Sequence, residues 1–374
     1  MGKKKEELEV RKDNRLRLNE EEMELVEYFR ETGTLPDTHL IRSDMSTIKL
    51  KEKCLESDRR YKKLLKEHGD SQKRLDVALA LKDDKSSNSF LKPLSSKIIG
   101  DATAVMVASD WHVEENVDPS TVNWVNEYNP DIAKERAEKF FQKGLWLTNL
   151  VRKGIKIDTL VFAILGDMIS GYIHDELAES NHKSPTEAIL FAQRLLRDRI
   201  DFLLKNGKFK KILIPCCFGN HGRTTLKRRV STSYKNSFEW MMFHQLKDHY
   251  SSEKRVEFVI SNGYHVRLPL YDNFTMRFHH GDNIRYGGGV GGISVPVNKA
   301  IKQWNTNEPA DIDVFGHFHQ QFDGGKFISN GSLVGWNAFA NSIKAEYDVP
   351  QQSFFVVDKK RGKIMVAPIY VADK

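Results

Sequence analysis

The order of apolar and polar positions divides the chain into two regimes. In the first, apolar residues recur at helical spacing. Met23, Leu25, Val26, Tyr28 and Phe29 form a stripe that predicts a helix over Glu20 to Thr32. Gly33-Thr34-Leu35-Pro36-Asp37 interrupts it. Ile48, Leu50, Leu55, Tyr61, Leu64 and Leu65 predict a second helix from Ser46 to about His68, and a third is expected over Ser71 to Leu81. The polar, aperiodic run from Lys82 to Ser89 reads as a linker. From Lys97 onward, short apolar runs alternate with helical stripes, as in a layered α/β fold. Strands are expected at Ala104–Ala108, Thr159–Leu165, Lys211–Phe218, Val256–Ile260, Tyr264–Leu268, Phe274–His279 and Asp313–Phe315, with a closing hairpin of Ser353–Asp358 and Lys363–Tyr370. Helices are expected at Asp131–Lys153, Pro185–Asn206 and Ser237–Tyr250. The chain so read has a charged helical region at 1–98 and an α/β domain at 99–374.

Composition narrows this reading. At 374 residues, 40% hydrophobic and 29% charged, the chain can bury a large core, and no apolar run approaches the roughly 20 residues that cross a bilayer. No membrane partner and no secretion signal are expected. The three cysteines, Cys54, Cys216 and Cys217, make no disulfide framework, so a reducing, cytoplasmic setting is expected. The net charge of +7 favours anionic partners. The first hundred residues hold 23 Lys/Arg against 20 Asp/Glu, so there is no basic tail. Region 1–98 reads as a helical arm or a hairpin through which copies of the chain pair. A DNA-contacting helix-turn-helix is the second reading.

The chemistry gathers at strand ends. Five predicted strands run into residues able to bind metal: Asp110 and His112, Asp167, Asn220 and His221, His280, and His317 and His319. Each alone could be a turn or a cap. Turns do not need histidine, however, and histidine recurs at four of the five ends. In open α/β sheets, sites form beyond the carboxyl ends of strands. Carboxylate, amide and imidazole without thiolate suit Mn²⁺, Fe²⁺, Zn²⁺ or Ni²⁺. The candidates exceed the needs of one tetrahedral ion and point to two divalent ions sharing a carboxylate, an arrangement that clamps a phosphoryl group during in-line displacement.

The blocks Asp110-x-His112, Gly166-Asp167, Gly219-Asn220-His221, His280-Gly281 and Gly316-His317-x-His319, in that order, resemble the calcineurin-like metallophosphoesterase superfamily. The resemblance spans roughly residues 103–335, and Asn330-Gly331-Ser332-Leu333 is similar to the family's following strand. It implies a four-layer αββα sandwich, here with an N-terminal helical appendage. It implies that Asp110, His112 and His319 bind one ion, that Asn220, His280 and His317 bind the other, and that Asp167 bridges; manganese is the expected metal, with iron, zinc or nickel as alternatives. His221 would be catalytic, placed against the phosphoryl group, and His279 would stand behind the ligands. One departure is visible: Gly222-Arg223 follows His221 where many members carry Asp or Glu. The Gly-Asn-His-Gly-Arg form is similar to phosphoesterases encoded by bacterial viruses, which would place the protein in a bacterial cytoplasm.

Other residues bear on the substrate. Arg223, Lys227 and Arg228 follow the Gly-Asn-His block and read either as phosphate contacts or as a solvated loop, and Trp111 is a candidate for base stacking, with packing under the site as its other reading. The run Arg285 to Gly292 lacks the Lys-Ser/Thr of a P-loop and is expected as a Gly-rich rim. The resemblance and these residues together imply a phosphate-ester hydrolase using metal-activated hydroxide, with nucleic acid as preferred substrate, similar to the superfamily's DNA-repair exonucleases. A phosphatase or phosphodiesterase for nucleotides, small molecules or phosphoproteins is the alternative. A non-catalytic binding protein on the same fold is the third reading.

Overall fold

The computed structural model describes residues 20–34, 45–83, 100–286 and 292–372. The chain divides into two units, residues 1–94 and 95–374. In the first, α1 (Glu20–Thr32) falls where its stripe placed it. The two helices expected after it are one, α2 (Met45–Asp83). Gly69 costs only about 1 kcal/mol against alanine inside a helix, and the strong helix formers at 62–67 and 72–75 on either side carry the helix through. Within this unit the Arg30 guanidinium lies over the Tyr61 ring at 5.9 Å. Most of the linker run, 84–89, lies outside the described residues, as do 287–291 of the Gly-rich run.

The second unit is the expected αββα sandwich. Its first sheet has six strands in the order β11-β10-β1-β2-β3-β4. They are β1 (Asp101–Ala108), β2 (Lys156–Ile164), β3 (Lys211–Cys216), β4 (Val256–Ile260), β10 (Gln351–Asp358) and β11 (Gly362–Tyr370). The four strands from β1 to β4 are parallel, so their carboxyl ends lie along one edge. The second sheet runs β5-β6-β7-β9-β8. It comprises β5 (His265–Tyr271), β6 (Phe274–His279), β7 (Ile312–Phe315), β8 (Phe322–Asp323) and β9 (Phe327–Ser329), with β6, β7 and β9 parallel.

Alternation along the strands assigns the layers. Met106, Phe162, Ile214 and Phe354 face helices α3 (Pro130–Val151), α5 (Pro185–Asn206) and α6 (Phe238–His249), meeting Phe140, Phe141, Leu196 and Phe243. Val105, Val107 and Val161 face the other way, onto Met276, Phe278 and Val314 of the second sheet. The outer face of that sheet packs Phe315 and Phe327 against Val297 and Ile301 of α7 (Ser294–Trp304). Strands covered on both sides read as unbroken apolar runs, which is why β1 to β3 stood out in the sequence. Helix α7 was missed because its short stripe follows a glycine run without a start signal, and its N-terminus carries no side-chain cap. Two short helices, α4 (Asp175–Ser180) and α8 (Ala338–Ser342), complete the unit. The strand expected at 330–333 is displaced: β9 ends at Ser329, and Asn330 to Val334 are buried without strand pairing. No described helix is long and apolar enough to cross a membrane.

Candidate metal centre

The strand-end residues converge. Asp110, His112 and His319 bring their ligand atoms within 4.8 Å of one another, and Asp167, His280 and His317 do the same. Asn220 joins the second group, its Oδ1 3.1 Å from His280 Nε2. The two groups are tied together through the backbone, because the amide of His317 donates to both oxygens of Asp110, at 3.0 Å each. Asp167 likewise accepts from the amide of His221 at 2.8 Å.

The backbone there is unusual. Asp110, His112, Asp167, His317 and His319 all have positive φ, between 47° and 70°. A side-chain-bearing residue enters this left-handed region rarely and at a cost, and such residues cluster at functional sites. The turns aim successive side chains inward at the point where each strand stops. Close approach adds a second constraint. Gly166, itself at φ +86°, lies so near the chain at Phe218 and Gly219 that a Cβ on it would overlap their backbone. The loops after β2 and β3 can touch only because of this.

Hydrogen bonds fix which imidazole nitrogen faces inward. Ser170 Oγ donates to Glu115 Oε2 at 3.2 Å, so it accepts from His112 Nδ1 at 3.0 Å. The proton of His112 is then on Nδ1, and its buried Nε2 is left with a lone pair and no partner among the described residues. His280 Nδ1 donates to the carbonyl of Leu165 at 2.8 Å, which turns Nε2 toward Asp167 Oδ2, 2.9 Å away. This is the outer-shell pattern that orients metal-binding histidines.

Charge in the site favours a cation. Burial alone would raise Asp167, yet the charges of His280 and His221 hold its carboxyl well below the usual range. Asp110 is also lowered against its own burial, chiefly by the hydrogen bond and charge of His319. Conversely, burial disfavours the His280 imidazolium, but Asp167 and Asp110 push the group up to about 10. Burial and the neighbouring His280 bring His317 down to about 4. Burial, with His221 adding, holds His112 well below its ordinary value. Two buried carboxylates thus draw positive charge to His280 and His319, while burial keeps His112 and His317 in the neutral, lone-pair-bearing form. The orphaned His112 nitrogen, the all-oxygen-and-nitrogen donor set and this field fit two divalent ions.

His221 stands beside both groups. Its Nδ1 donates to the carbonyl of Ser170 at 3.1 Å, and its ring meets that of His112 edge-on at 4.9 Å. A backbone carbonyl therefore orients His221, which answers the absent acid at Gly222. There is also no room for that acid. A Cβ on Gly222 would press on the Cγ of Glu239 at 2.8 Å.

Glu239 itself was not singled out from the sequence. It lies in the first turn of α6, fully buried, and accepts from the amides of Met168 and Gly219 at 2.6 Å each. It thereby links the loop carrying Asp167 to the loop carrying Asn220. Burial and the charge of Asp167 push Glu239 up to about 7. On the other side, Gln352 and Asn330 perform the same service for β1, bonding to Ser109. A lone acid in an amphipathic helix looks solvated in a sequence, and only the tertiary contact reveals it.

The expected substrate residues fare differently. Trp111 is fully buried in the main core, and its Nε1 donates to Gln352 at 3.2 Å. It offers no face to a base, so the stacking expectation is corrected. Arg223 donates to the carbonyls of Asn220, Thr225 and Leu226 and so braces its own loop. Arg228 is paired with the Asp282 carboxylate at 2.5 Å and with Asn283. Lys227 is exposed. His279 is buried behind the ligands, stacked on Phe315 at 5.0 Å.

No family model matches the chain, and no curated protein does. Solved structures give slight likenesses. One is a candidate 5′-nucleotidase from Staphylococcus aureus in complex with alpha-ketoglutarate, at 11% identity and a TM-score of 0.28 over 73% of this chain. Another is the sulfate thiohydrolase SoxB of Thermus thermophilus in complex with glycerol, at 9% and 0.30, again over 73%. A third is the calcineurin-like phosphoesterase YfkN of Bacillus subtilis, at 10% and 0.26 over 72% of this chain and 92% of that one. The chain spans about half the length of the first two, 55% and 56%. At these scores the likeness carries no argument, and the site's own geometry must.

Proposed function

We propose that the chain is a calcineurin-like metallophosphoesterase that hydrolyses phosphodiesters, with nucleic-acid strands as the preferred substrate. The observation that carries the reading is the pair of ligand groups at the strand ends, five of whose residues are held in left-handed backbone. Asp110, His112 and His319 would hold one divalent ion, Asn220, His280 and His317 the other, and Asp167 would stand between. Two such ions supply Lewis acidity and an activated water. The chain's own contribution is position and proton handling. Asp110 and Asp167 are kept ionised by the neighbouring histidines. His112 and His280 present Nε2 because Ser170 and Leu165 take their Nδ1 protons. His221 has its Nδ1 held by the Ser170 carbonyl, which leaves Nε2 to contact a phosphoryl oxygen or to protonate a leaving oxygen.

The preference for nucleic acid is supported by the net charge of +7 and by the cationic loop at 223–229 beside Asn220. The test is turnover of bis(p-nitrophenyl) phosphate with Mn²⁺, alongside metal analysis. Wild-type protein is expected to hold two ions and to hydrolyse the ester. Asp167→Ala and His317→Ala are expected to lose both properties. Unchanged turnover in either variant would overturn the assignment. A parallel panel of single-stranded DNA, double-stranded DNA, RNA and phosphopeptide tests the preference, and activity confined to the phosphopeptide would defeat it.

A further inference from the structure

Beside Asn220 the loop from Gly222 to Ser237 closes over a small cavity of about 80 Å³. Its lining includes Asn220, Arg223, Arg228, Arg229, Tyr264 and Asn283. The loop is pinned on itself. Arg223 pairs across to Ser237 in a β-bridge, Thr224 N donates to Asn236 O at 2.9 Å, and Phe238 N donates to Gly222 O at 2.9 Å. Arg228 clamps its middle to Asp282 and Asn283. The cavity is therefore a built feature of the fold, and it shares Asn220 with the metal centre.

Its charge is unbalanced. Arg228 and Asp282 neutralise one another. Arg223 gives three of its five N–H groups to backbone carbonyls and makes no direct ion pair with another described residue, although Asp167 and Asp282 lie within its field. Arg229 is exposed and makes no hydrogen bond or ion pair to another described residue. Asn283 has given its Oδ1 to Arg228, so its amide N–H groups remain to donate. Three guanidinium groups against the single Asp282 carboxylate in the lining, one of them unpaired, and an amide donor around a small hollow make an anion site. The volume is far below the roughly 300 Å³ at which sites for drug-sized ligands begin, so it suits one phosphate group and excludes a whole nucleoside.

We propose that this cavity is a subsite for a second phosphate of the substrate, next along the chain from the one at the metals, with Arg229 as its specificity-determining cation. The proposal rests on the phosphodiesterase reading for its meaning and on the cavity for its existence. It makes the substrate class one that carries neighbouring phosphates, as a nucleic-acid strand does and an isolated phosphate ester does not.

The experiment is calorimetric binding of thymidine 3′,5′-bisphosphate and of thymidine 5′-monophosphate to the full chain with Mn²⁺, in wild type, Arg229→Lys and Arg229→Glu. The wild type is expected to bind the bisphosphate about tenfold more tightly. The Lys variant is expected to keep part of that ratio, and the Glu variant to bring it near one. Arg229 is exposed, and thermal melts check that the variants are folded. Equal affinities in the wild type, or the same ratio in wild type and Glu variant, would overturn the proposal. Turnover of bis(p-nitrophenyl) phosphate by the wild type reports separately on catalysis. A protein inert toward that ester but retaining the Arg229-dependent ratio would lose the phosphodiesterase reading and keep the anion site.

Discussion

Glu239 holds two metal-binding loops together from a distance, and its replacement gives a prediction with a definite size. Its two oxygens accept from the Met168 and Gly219 amides, both at 2.6 Å, in a site without solvent. Glu239→Gln retains one acceptor and turns the other into an N–H₂ group facing an amide. One bond is lost, and the facing backbone N–H and the two N–H groups of the new amide are left without an acceptor. A hydrogen bond to a charged group is worth about 1.5–3 kcal/mol net. Against this, the variant relieves the burial of a carboxylate that is already pushed up to about 7. The balance is an expected loss of about 1–3 kcal/mol for Gln. Glu239→Ala loses both bonds and leaves a cavity, for about 3–5 kcal/mol. In a domain of this size each kcal/mol moves the Tm by about 2–4 °C. Urea and thermal unfolding, followed by circular dichroism, read the stability. Metal titration of the folded variants reads the geometry, and binding is expected to weaken in the Gln variant because Asp167 and Asn220 lose their common tie. A Gln variant with wild-type unfolding and wild-type metal affinity would refute the reasoning, as would an Ala variant no worse than Gln.

Two further outcomes are expected. Gly166→Ala sets a Cβ against the backbone of Phe218 and Gly219 at φ +86°, and is expected to destabilise by more than about 3 kcal/mol; a variant with an unshifted urea midpoint would show that the two loops do not touch. Burial, with Glu115 adding, pushes Glu114 up to about 8 against the hydrogen bond from the Gly171 amide. A carboxyl raised in this way binds more protons folded than unfolded, so its contribution is whole below its ordinary value of 4.5 and is lost as pH rises through about 8. Glu114→Gln keeps an acceptor for Gly171 and cannot titrate, so chemical denaturation is expected to show it more stable than wild type at high pH, with a flatter profile; parallel pH profiles for the two proteins would count against the assignment.

The sequence exposed what is periodic or chemically rare. Strands β1 to β3 are buried on both faces and announce themselves as apolar runs, and histidines repeated at strand ends have no cheaper explanation. What stayed hidden depends on a partner far along the chain. Trp111 stood between stacking on a base and packing under the site because nothing local shows that Gln352 takes its indole N–H. Arg223 and Arg228 looked like free cations until Asn220, Asp282 and Asn283 were seen to bind them. Gly69 looked like a break in a helical stripe that α2 simply carries through. Glu239 looked like one acid among many, and the absent acid at Gly222 made sense only once Glu239 was found filling that space.

The left-handed ligand residues bear on how freely the whole domain can change. Five side-chain-bearing residues sit at positive φ in one place. At roughly 1–2 kcal/mol each, they hold about 5–10 kcal/mol in unrelaxed backbone. A typical domain has only about 5–15 kcal/mol of net stability. The scaffold must therefore supply a surplus merely to keep the site in shape. Substitutions in β1, β2 or β3 that a relaxed sandwich would tolerate draw on a thinner reserve here, and fewer of them leave the chain above its folding threshold. The geometry of a handful of loop residues thus sets the pace at which several hundred others can drift.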